Sequence, residues 1–406
     1  MGKSEPPKAN PSRAGRLIEL SIVYLRLGLT AFGGPAAHIA LMRREFVEQR
    51  GWLTDAEFLD LLGAVNLIPG PNSTQLAMQI GKVRAGTWGL IVAGFCFILP
   101  AALIVTGLAW AYVHYGTSPS VLVLMLGIKP VVVAVVVQAV WKLVRANVKS
   151  ASLGTVGIAA AGLVVVHVAP LAIVFGSGLV TGLTRWVVSK RDESLRPLTN
   201  LLALVGAFVL VAVLLGSREI GRVPFSHGAL FLYFGKIGAI LYGSGYVLLA
   251  YLNTDLVHRF GWLTRSQLLD AVAVGQFTPG PVFTTATFIG YLLGGPAGAV
   301  LATIGIFLPS FVFVTFIARL LPGLRQSVTA GAFMDGVNVA SLALMAVVAV
   351  ALGRDAIRDW LTVAIFAVSL ILLVRLRLNS AWILAGGGLV TIAAKQLGIW
   401  YAVSQR

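Results

Sequence analysis

The chain has few charged residues and a single cysteine. Of its 406 residues, 11% are charged and 58% are hydrophobic, and the mean hydropathy is +0.89. A soluble core of this length cannot hide so much apolar surface, so we predict an all-α polytopic membrane protein. Cys96 lies inside an apolar run and has no partner for an intramolecular disulfide. Because no metal-ligand spacing and no nucleophile with a base occurs in the apolar core, we expect no metal, no cofactor and no enzymatic activity.

Acidic residues are almost missing from the apolar runs. Asp335 is the only deep carboxylate, so the groups that would bind a metal cation or carry protons through a cation pump are lacking. Arg26, Lys129 and Lys236, by contrast, lie well inside apolar runs. A charge near the bilayer centre costs at least ~2.5 kcal/mol, so each is a functional candidate, with snorkelling or capping of a helix end as the alternative. Cations without matching acids predict that the transported species is an anion.

The net charge of +16 follows a membrane pattern. Lys and Arg lie in short loops between apolar runs, without a basic stripe and interleaved aromatics, which favours the positive-inside rule over nucleic-acid binding. Apolar runs long enough to cross a bilayer number about thirteen, if 152–189 is divided at His167-Val168-Ala169-Pro170. The charge bias then predicts a cytoplasmic N terminus and an external C terminus. It also puts Arg84 on the cytoplasmic side and Arg50 on the outer side.

The first two predicted crossings, 16–34 and 57–80, are joined by a polar segment. Residues 36–56 are too polar to span, and we expect an amphipathic helix near the membrane interface, anchored by Trp52. His38 lies beside the end of the first crossing. A lone histidine is more often a hydrogen-bonded structural group than a proton carrier, and we interpret His38 as structural.

The chain contains the same unit twice. Gly51-Trp52-Leu53-Thr54 recurs about 210 residues later as Gly261-Trp262-Leu263-Thr264, and Arg26 falls on Lys236 in the same register. An odd number of crossings between equivalent points inverts the second copy, a pattern typical of secondary transporters with a site between the repeats. The predicted domains are a cytoplasmic N-terminal arm (1–16), a first repeat (17–189), a linker with a connecting transmembrane helix (190–226) and a second, inverted repeat (227–400).

Clusters of glycine and proline interrupt the helices at equivalent places in both halves. Such breaks let a following helix point free backbone amides and hydroxyls at an anion, although a packing kink is the alternative for any one of them. The predicted helix breaks are at Pro35, Pro69, Gly70, Pro71, Pro279, Gly280 and Pro281. The candidate substrate-binding residues are Arg26, Gly33, Gly34, Asn72, Ser73, Thr74, Gln75, Lys129, Lys236, Gly243, Ser244, Thr284 and Thr285.

The motifs occur in an order that is similar to a known family. Phe32-Gly33-Gly34-Pro35 with His38, the Gly-Trp-Leu-Thr motif, and the stretch from Asn66 through Pro-Gly-Pro to Gln75 together resemble the chromate ion transporter family in its two-domain form. The resemblance covers about residues 17–350. It implies thirteen spans in two oppositely oriented halves, a bacterial or archaeal inner-membrane location, and export of chromate, a tetrahedral divalent oxyanion, as a mechanism of chromate resistance.

The second half departs from that pattern, so a symmetric site is not expected. It has Tyr242-Gly243-Ser244-Gly245 in place of Phe-Gly-Gly-Pro, and Leu248 in place of the histidine. Three alternatives are weighed for the function. The cargo could be sulfate or another oxyanion, and a passive anion channel would also fit the charge pattern. A membrane-embedded enzyme is disfavoured, because the core has no paired carboxylates, no nucleophile with a base and no metal-ligand spacing. With chromate as cargo, sulfate could act as a competitor. Protons as a coupling ion and a homodimer in the lipid bilayer are likewise left open.

Overall fold

The computed structural model describes residues 12–66, 68–166, 168–189, 223–242, 245–317, 328–376 and 378–400, and every regular element in these ranges is helical. In the first half the helices are α1 (Arg13–Thr30), α2 (Gly34–Arg43, continued by a π-helical turn Arg44–Gln49), α3 (Asp55–Val65), α4 (Asn72–Tyr115), α5 (Pro119–Asn147), α6 (Ala151–Val165) and α7 (Pro170–Ser189). In the second half they are α8 (His227–Ile240), α9 (Leu248–Leu252, continued by a π-helical turn Asn253–Arg259), α10 (Arg265–Phe277), α11 (Thr285–Ile317, preceded by a 3-10 turn Val282–Thr284), α12 (Val328–Ala356), α13 (Trp360–Val374) and α14 (Ser380–Gln396).

Four of the described helices are long and apolar enough to cross a membrane. They are Asn72–Tyr115, Pro119–Asn147, Val282–Phe316 and Gly331–Ala356, and shorter apolar helices lie at Ala151–Val165, Pro170–Arg185 and Trp360–Val374. The all-helical membrane class is therefore confirmed. The division of 152–189 into two helices is also confirmed, because α6 ends at Val165 and α7 begins at Pro170. Most of the predicted linker with its connecting transmembrane helix (190–226) lies outside the described residues, which resume at residue 223.

Helices α1 and α2 form an antiparallel hairpin. Gly33 and Gly34 turn the chain with φ angles of 103° and 77°, a region open to glycine and costly for other residues. Nε2 of His38 then lies 3.0 Å from the carbonyl oxygen of Ala31, and further along the pair Arg26 of α1 forms an ion pair with Glu45. The segment predicted to lie along the outer interface thus runs back along α1, with His38 and Phe46 buried.

Two of the helices reverse direction within their own length. Ala85 and Gly86 in α4 have non-helical φ/ψ of −142°/21° and 69°/−153°, and Gly294 and Gly295 in α11 repeat these angles almost unchanged. In α11 the hydroxyls of Thr287 and Thr303 lie 2.7 Å apart, whereas sixteen residues of straight helix would separate them by roughly 24 Å. Each element is therefore a tight helical hairpin.

Small residues make these hairpins close-packed. A Cβ atom at Gly81 would collide with the carbonyl oxygen of Gly89, and the repeat-equivalent pair Gly290 and Gly298 has the same close approach. Backbones can come this near only where side chains are absent. The part of α4 before Ala85 is consequently a short helix, like α3 before it. The part after Gly86 is the long apolar helix.

Three charged side chains lie together at one end of the α1–α2 hairpin, next to the turn within α4. Glu19 on α1 accepts hydrogen bonds from Arg50, after α2, at 2.6 Å and from Arg84, at the α4 turn, at 3.1 Å. The guanidinium groups of both arginines also lie over the ring of Trp52, at 5.3 and 4.7 Å from its centre. The sequence-based assignment of Arg50 and Arg84 to opposite faces is therefore wrong. It treated α1 as a complete crossing, whereas the hairpin returns the chain to the face where it began.

The two halves meet through a reciprocal pair of backbone hydrogen bonds. The N–H of Gly70 donates to the carbonyl of Leu241 at 2.7 Å, and the N–H of Gly280 donates to the carbonyl of Ala31 at 2.9 Å. Leu241 and Ala31 are the C-terminal caps of α8 and α1. Each Pro-Gly-Pro turn thus binds the broken helix end of the other half, in the manner of an isologous interface.

Both glycines of this contact need their conformation and their lack of a side chain. The φ angles are 120° at Gly70 and 88° at Gly280. A Cβ atom at Gly70 would lie 2.8 Å from Oγ of Ser310, and one at Gly280 would lie 2.7 Å from Cβ of Ala101.

The peripheral helices exchange partners between the halves. Helices α6 and α7 of the first half pack on α12 of the second, and α13 and α14 pack on α5 of the first. The contacts are again equivalent: Gly127 of α5 lies against Gly387 of α14, and Gly336 of α12 lies against Ser177 of α7. Close packing at the Gly386-Gly387-Gly388 stretch follows from this arrangement.

We expect Gly70→Ala and Gly280→Ala each to lower the free energy of unfolding by about 1–3 kcal/mol, because alanine disfavours positive φ and its Cβ would disturb the central contact. Thermal unfolding of the purified protein in detergent measures this. Gly107→Ala, at a helical position with no atom within 4 Å of the added Cβ, is the matched control. Equal melting temperatures for all three variants would contradict the assignment.

The hairpins also predict which residues share a membrane face. In a Cys96→Ser background, cysteines placed at the exposed positions Glu48 and Thr87 should react with an impermeant maleimide from the same side. Thr117→Cys should react from the other side, because the helix from Gly86 to Tyr115 is roughly 43 Å long, enough to cross. Labelling of Glu48→Cys together with Thr117→Cys would refute the hairpin topology.

Candidate functional site

A cavity of about 490 Å³ lies where the two halves meet. It is bounded by the first helix break, the start of α4, the C-terminal part of α5, the second Pro-Gly-Pro turn and α12. Its lining residues are Gly33, Pro35, Ala36, Ile39, Asn66, Pro71, Asn72, Ser73, Gln138, Ala139, Lys142, Leu143, Asn147, Gly245, Val247, Pro281, Val282, Phe283, Asn338, Ser341 and Leu342.

Two helices begin at this cavity without a side-chain cap. Helix α2 starts after Gly33, and α4 starts after Pro71, and neither N-cap residue has a side chain that accepts a hydrogen bond from the first turn. The leading N–H groups of a helix have no intrahelical acceptor, and the aligned peptide dipoles place partial positive charge there. Both ends therefore offer hydrogen-bond donors to an anion.

Hydroxyl and amide groups add to these donors. Oγ of Ser341, in a residue 1% exposed, has no hydrogen-bond partner among the described residues. A buried hydroxyl in this state costs free energy unless a ligand or water completes it. Ser73 is also buried, with its Oγ 3.3 Å from Nδ1 of His38, and Nδ2 of Asn72 donates to Oδ1 of Asn66 at 2.8 Å. These groups provide the polar wall of the cavity.

Lys142 supplies the positive charge of the cavity. It lies on α5 one turn after Gln138, so the two side chains share a face. No carboxylate lines the cavity among the described residues. A cation, hydroxyls and helix N termini without an acid form a site that suits an anion.

Lys142 is a cavity residue that the sequence pattern alone does not single out. It lies near the end of an apolar run, where it resembles the loop cations. The signal that could have found it is the spacing of Gln138 and Lys142 on a helix that continues to Asn147, combined with the apolar Ala351 at the equivalent position of α12.

The three cations singled out from the sequence lie elsewhere, each beside an acid. Arg26 forms an ion pair with Glu45, and Lys236 lies close to Asp255, the repeat-equivalent acid. These two contacts join each first hairpin helix to its returning arm. The structure therefore does not bring Arg26 and Lys236 to the cavity.

Lys129 occupies a different place. Its Nζ lies 3.3 Å from Oδ1 of Asp270 and donates to Oγ of Ser266 at 2.7 Å, while the hydroxyl of Tyr112 donates to Oδ2 of Asp270 at 2.8 Å. Only 14% of the Lys129 side chain and 4% of the Asp270 side chain are exposed. This buried cluster connects α5, α10 and the end of α4.

Other predicted residues lie behind the cavity wall. Thr74 is buried one residue beyond Ser73, and Nε2 of Gln75 donates to the carbonyl of Pro69 at 2.6 Å, which stabilises the turn. The hydroxyls of Thr284 and Thr285 bond to the carbonyls of Pro281 and Val282 and do not line the cavity. Gly34 and Pro279 belong to the breaks, and Gly243 and Ser244 lie outside the described residues.

The equivalent place in the second half is almost closed. A pocket of about 10 Å³ is lined by Gly245, Leu249, Gln276 and Val282 among others. The repeat partners of these four, Pro35, Ile39, Asn66 and Asn72, line the large cavity, whereas the partners of the small pocket's other lining residues, Leu248, Leu252, Val272 and Thr285, do not. Where the two linings correspond, the volume in the second half is therefore far smaller.

Comparison with known proteins places the chain in a family. The family model described as "Chromate transporter" matches residues 18–183 and 228–392. A probable chromate transport protein of Synechococcus elongatus is 33% identical over 362 residues, covering 87% of this chain and 89% of that protein. Chromate transport proteins of Cupriavidus metallidurans and Pseudomonas aeruginosa are each 30% identical, covering 94% and 84% of this chain and 94% and 80% of those proteins.

No solved structure shows a significant match to the chain. The family and its relatives are described as transporters and not as enzymes, as the composition had indicated. Because the family model matches both halves and the relatives align over most of their length, the chain belongs to the chromate transporter family, a family of multi-pass membrane proteins.

Proposed function

We propose that this protein is a secondary transporter of chromate and that the cavity at Lys142 binds the anion. The observation that carries the proposal is the combination of two uncapped helix starts, a cation and the unpartnered hydroxyl of Ser341 around one cavity without an acid. The relatives named as chromate transport proteins support the choice of cargo.

Binding of a dianion in such a place requires replacement of its water shell. Backbone amides at the starts of α2 and α4, with Ser73 and Ser341, replace water as hydrogen-bond donors, and Lys142 balances part of the charge. His38 positions Ser73 through the contact at Nδ1. Gly33 has no side chain and contributes only its backbone to the cavity wall. A glycine can therefore belong to the predicted site.

We further propose that the two halves are inverted repeats that expose the cavity alternately. Supporting this are the reciprocal bonds of Gly70 and Gly280 and the unequal volumes, about 490 and 10 Å³, of two pockets whose linings correspond in part. A passive channel would need both sides open at once, so the closed counterpart favours a carrier.

The short hairpins fit a re-entrant arrangement. Glu19 lies at the end of the first hairpin that is remote from the helix break, and the helix from Glu19 to Thr30 is roughly 17 Å long, about half of the hydrocarbon core. The Pro-Gly-Pro turns would then meet near the membrane centre. We propose that the first two predicted crossings enter and leave on one face, which keeps the predicted sides of α4 to α7 unchanged.

The proposed direction is export. The cavity extends along α5 toward Asn147, on the side that the positive-inside rule makes cytoplasmic, so the described state faces inward. An inside-negative potential assists exit of a dianion by about 2.3 kcal/mol per charge per 100 mV. Chromate resistance of a bacterium or archaeon, with the protein in its cytoplasmic membrane, would follow.

We expect Lys142→Gln to reduce uptake of labelled chromate into everted vesicles at least about ten-fold, because the loss of one charged hydrogen bond weakens anion binding by that order. Lys149→Gln is the matched control, since Lys149 lies on the same basic stretch but does not line the cavity. Uptake is measured with and without an imposed potential and with sulfate as competitor.

Two results would overturn this proposal. If wild-type vesicles accumulate sulfate but not chromate, the substrate is wrong although the cavity stands. If Lys142→Gln and Lys149→Gln transport equally well, the cavity is not the site.

Ser341→Ala separates binding from folding. We expect weaker chromate binding, by several-fold, because one donor is lost, while thermal stability stays equal or rises since the substitution removes a buried hydroxyl without a partner. Equilibrium binding of labelled chromate and thermal unfolding check the two effects. A parallel loss of both would mean that Ser341 is structural.

A further inference from the structure

Lys129 is the repeat partner of a cavity residue. It lies on α5 at the position that Asn338 holds on α12, and Asn338 lines the large cavity. On the closed side the equivalent position is therefore Lys129. If the two halves exchanged conformations, a cavity would open on the second side, and Lys129 would line it as Asn338 lines the present cavity.

In the described state Lys129 is held away from that role. Asp270 and Ser266 of α10 bind its ammonium group, and Tyr112 holds the second oxygen of Asp270. On the side of the large cavity, the repeat partner of Lys129 is Asn338 on α12, and the repeat partner of Asp270 is the exposed Asp60 on α3. The Lys129–Asp270 ion pair thus lies on the side of the small pocket.

We propose that the Lys129–Asp270 contact closes the outer side of the carrier, and that in the other state Lys129 leaves Asp270 and contacts the transported anion. This inference rests on the proposed function. Two cations would then serve the same cargo in turn: Lys142 in the inward-facing state and Lys129 in the outward-facing state.

The exchange of partners explains how opening is linked to cargo. Breaking the Lys129–Asp270 pair without replacement leaves charges unpaired in a buried place, which is strongly unfavourable. A divalent oxyanion replaces Asp270 as the partner of Lys129, and the hydroxyl of Tyr112 continues to donate a hydrogen bond to Asp270. Opening on the outer side is therefore easier with the anion bound than in the empty protein.

On the outer side, the residues that correspond to the polar wall of the large cavity offer few groups for an anion. Asn72 and Ser73 of the first half correspond to Val282 and Phe283, and His38 corresponds to Leu248. Lys129 therefore carries more of the recognition on the outer side, and the weaker set of donors suits release of an exported anion.

Accessibility of single cysteines tests the closing contact. In Cys96→Ser protein in nanodiscs without chromate, Asp270→Asn should raise maleimide labelling of Leu249→Cys, in the small pocket, and lower that of Asn147→Cys, in the large cavity. Arg43→Gln, which breaks an exposed ion pair with Glu48, should change neither rate. Unchanged labelling in Asp270→Asn would overturn the closing role.

Equilibrium binding of labelled chromate tests the contact with the anion. Lys142→Gln should bind about ten-fold more weakly than wild type. Adding Asp270→Asn should restore binding, because it frees Lys129, and adding Lys129→Gln to that double variant should abolish it. Lys129→Arg in the same background should keep binding, which shows that the loss comes from charge and not from misfolding.

The outcomes separate the two proposals. If the triple variant with Lys129→Gln binds as well as the double variant, Lys129 does not contact the anion and the inference fails. If the double variant binds no better than Lys142→Gln although Leu249→Cys has become accessible, the inference fails as well. If wild type itself binds no chromate, the proposed function fails, whereas the labelling shift would still show the closing contact.

Discussion

The reciprocal hydrogen bonds of Gly70 and Gly280 are the contact on which the rest of the structure depends. Each amide reaches the last carbonyl of a helix that has ended early in the opposite half, at Leu241 or Ala31. A helix end inside a membrane leaves carbonyls without partners, and such groups are costly away from water. The turn of one half satisfies the helix end of the other, so neither half completes its centre alone.

This contact also positions the cavity. The break that frees Ala31 directs α2 back along α1, and the turn at Gly70 starts α4 beside it, so two uncapped helix starts lie together. His38 bridges them through Ala31 and Ser73. The elements that stabilise the interface between the halves are therefore the same elements that would surround an anion.

Charge in the interior has two separate uses. Arg26 forms an ion pair with Glu45 that joins the first hairpin, and Lys236 lies near the equivalent acid Asp255. Lys142 faces the cavity, where no described residue provides an acid. A cation inside an apolar run is thus informative only when its partner is known, since a structural pair and a binding site look alike in the sequence.

Local patterns were enough to predict the helical membrane class, the duplication, the places where helices break and the preference for an anion. Periodicity, proline and glycine act over a few residues, so these properties can be read without the fold. The hairpins, the proximity of Arg50 and Arg84 and the position of Lys142 at the cavity were decided by tertiary structure alone. Each depends on contacts between residues far apart in the chain, such as Glu19 with Arg84 or Lys129 with Asp270, and no local pattern encodes which distant partner a charge will find.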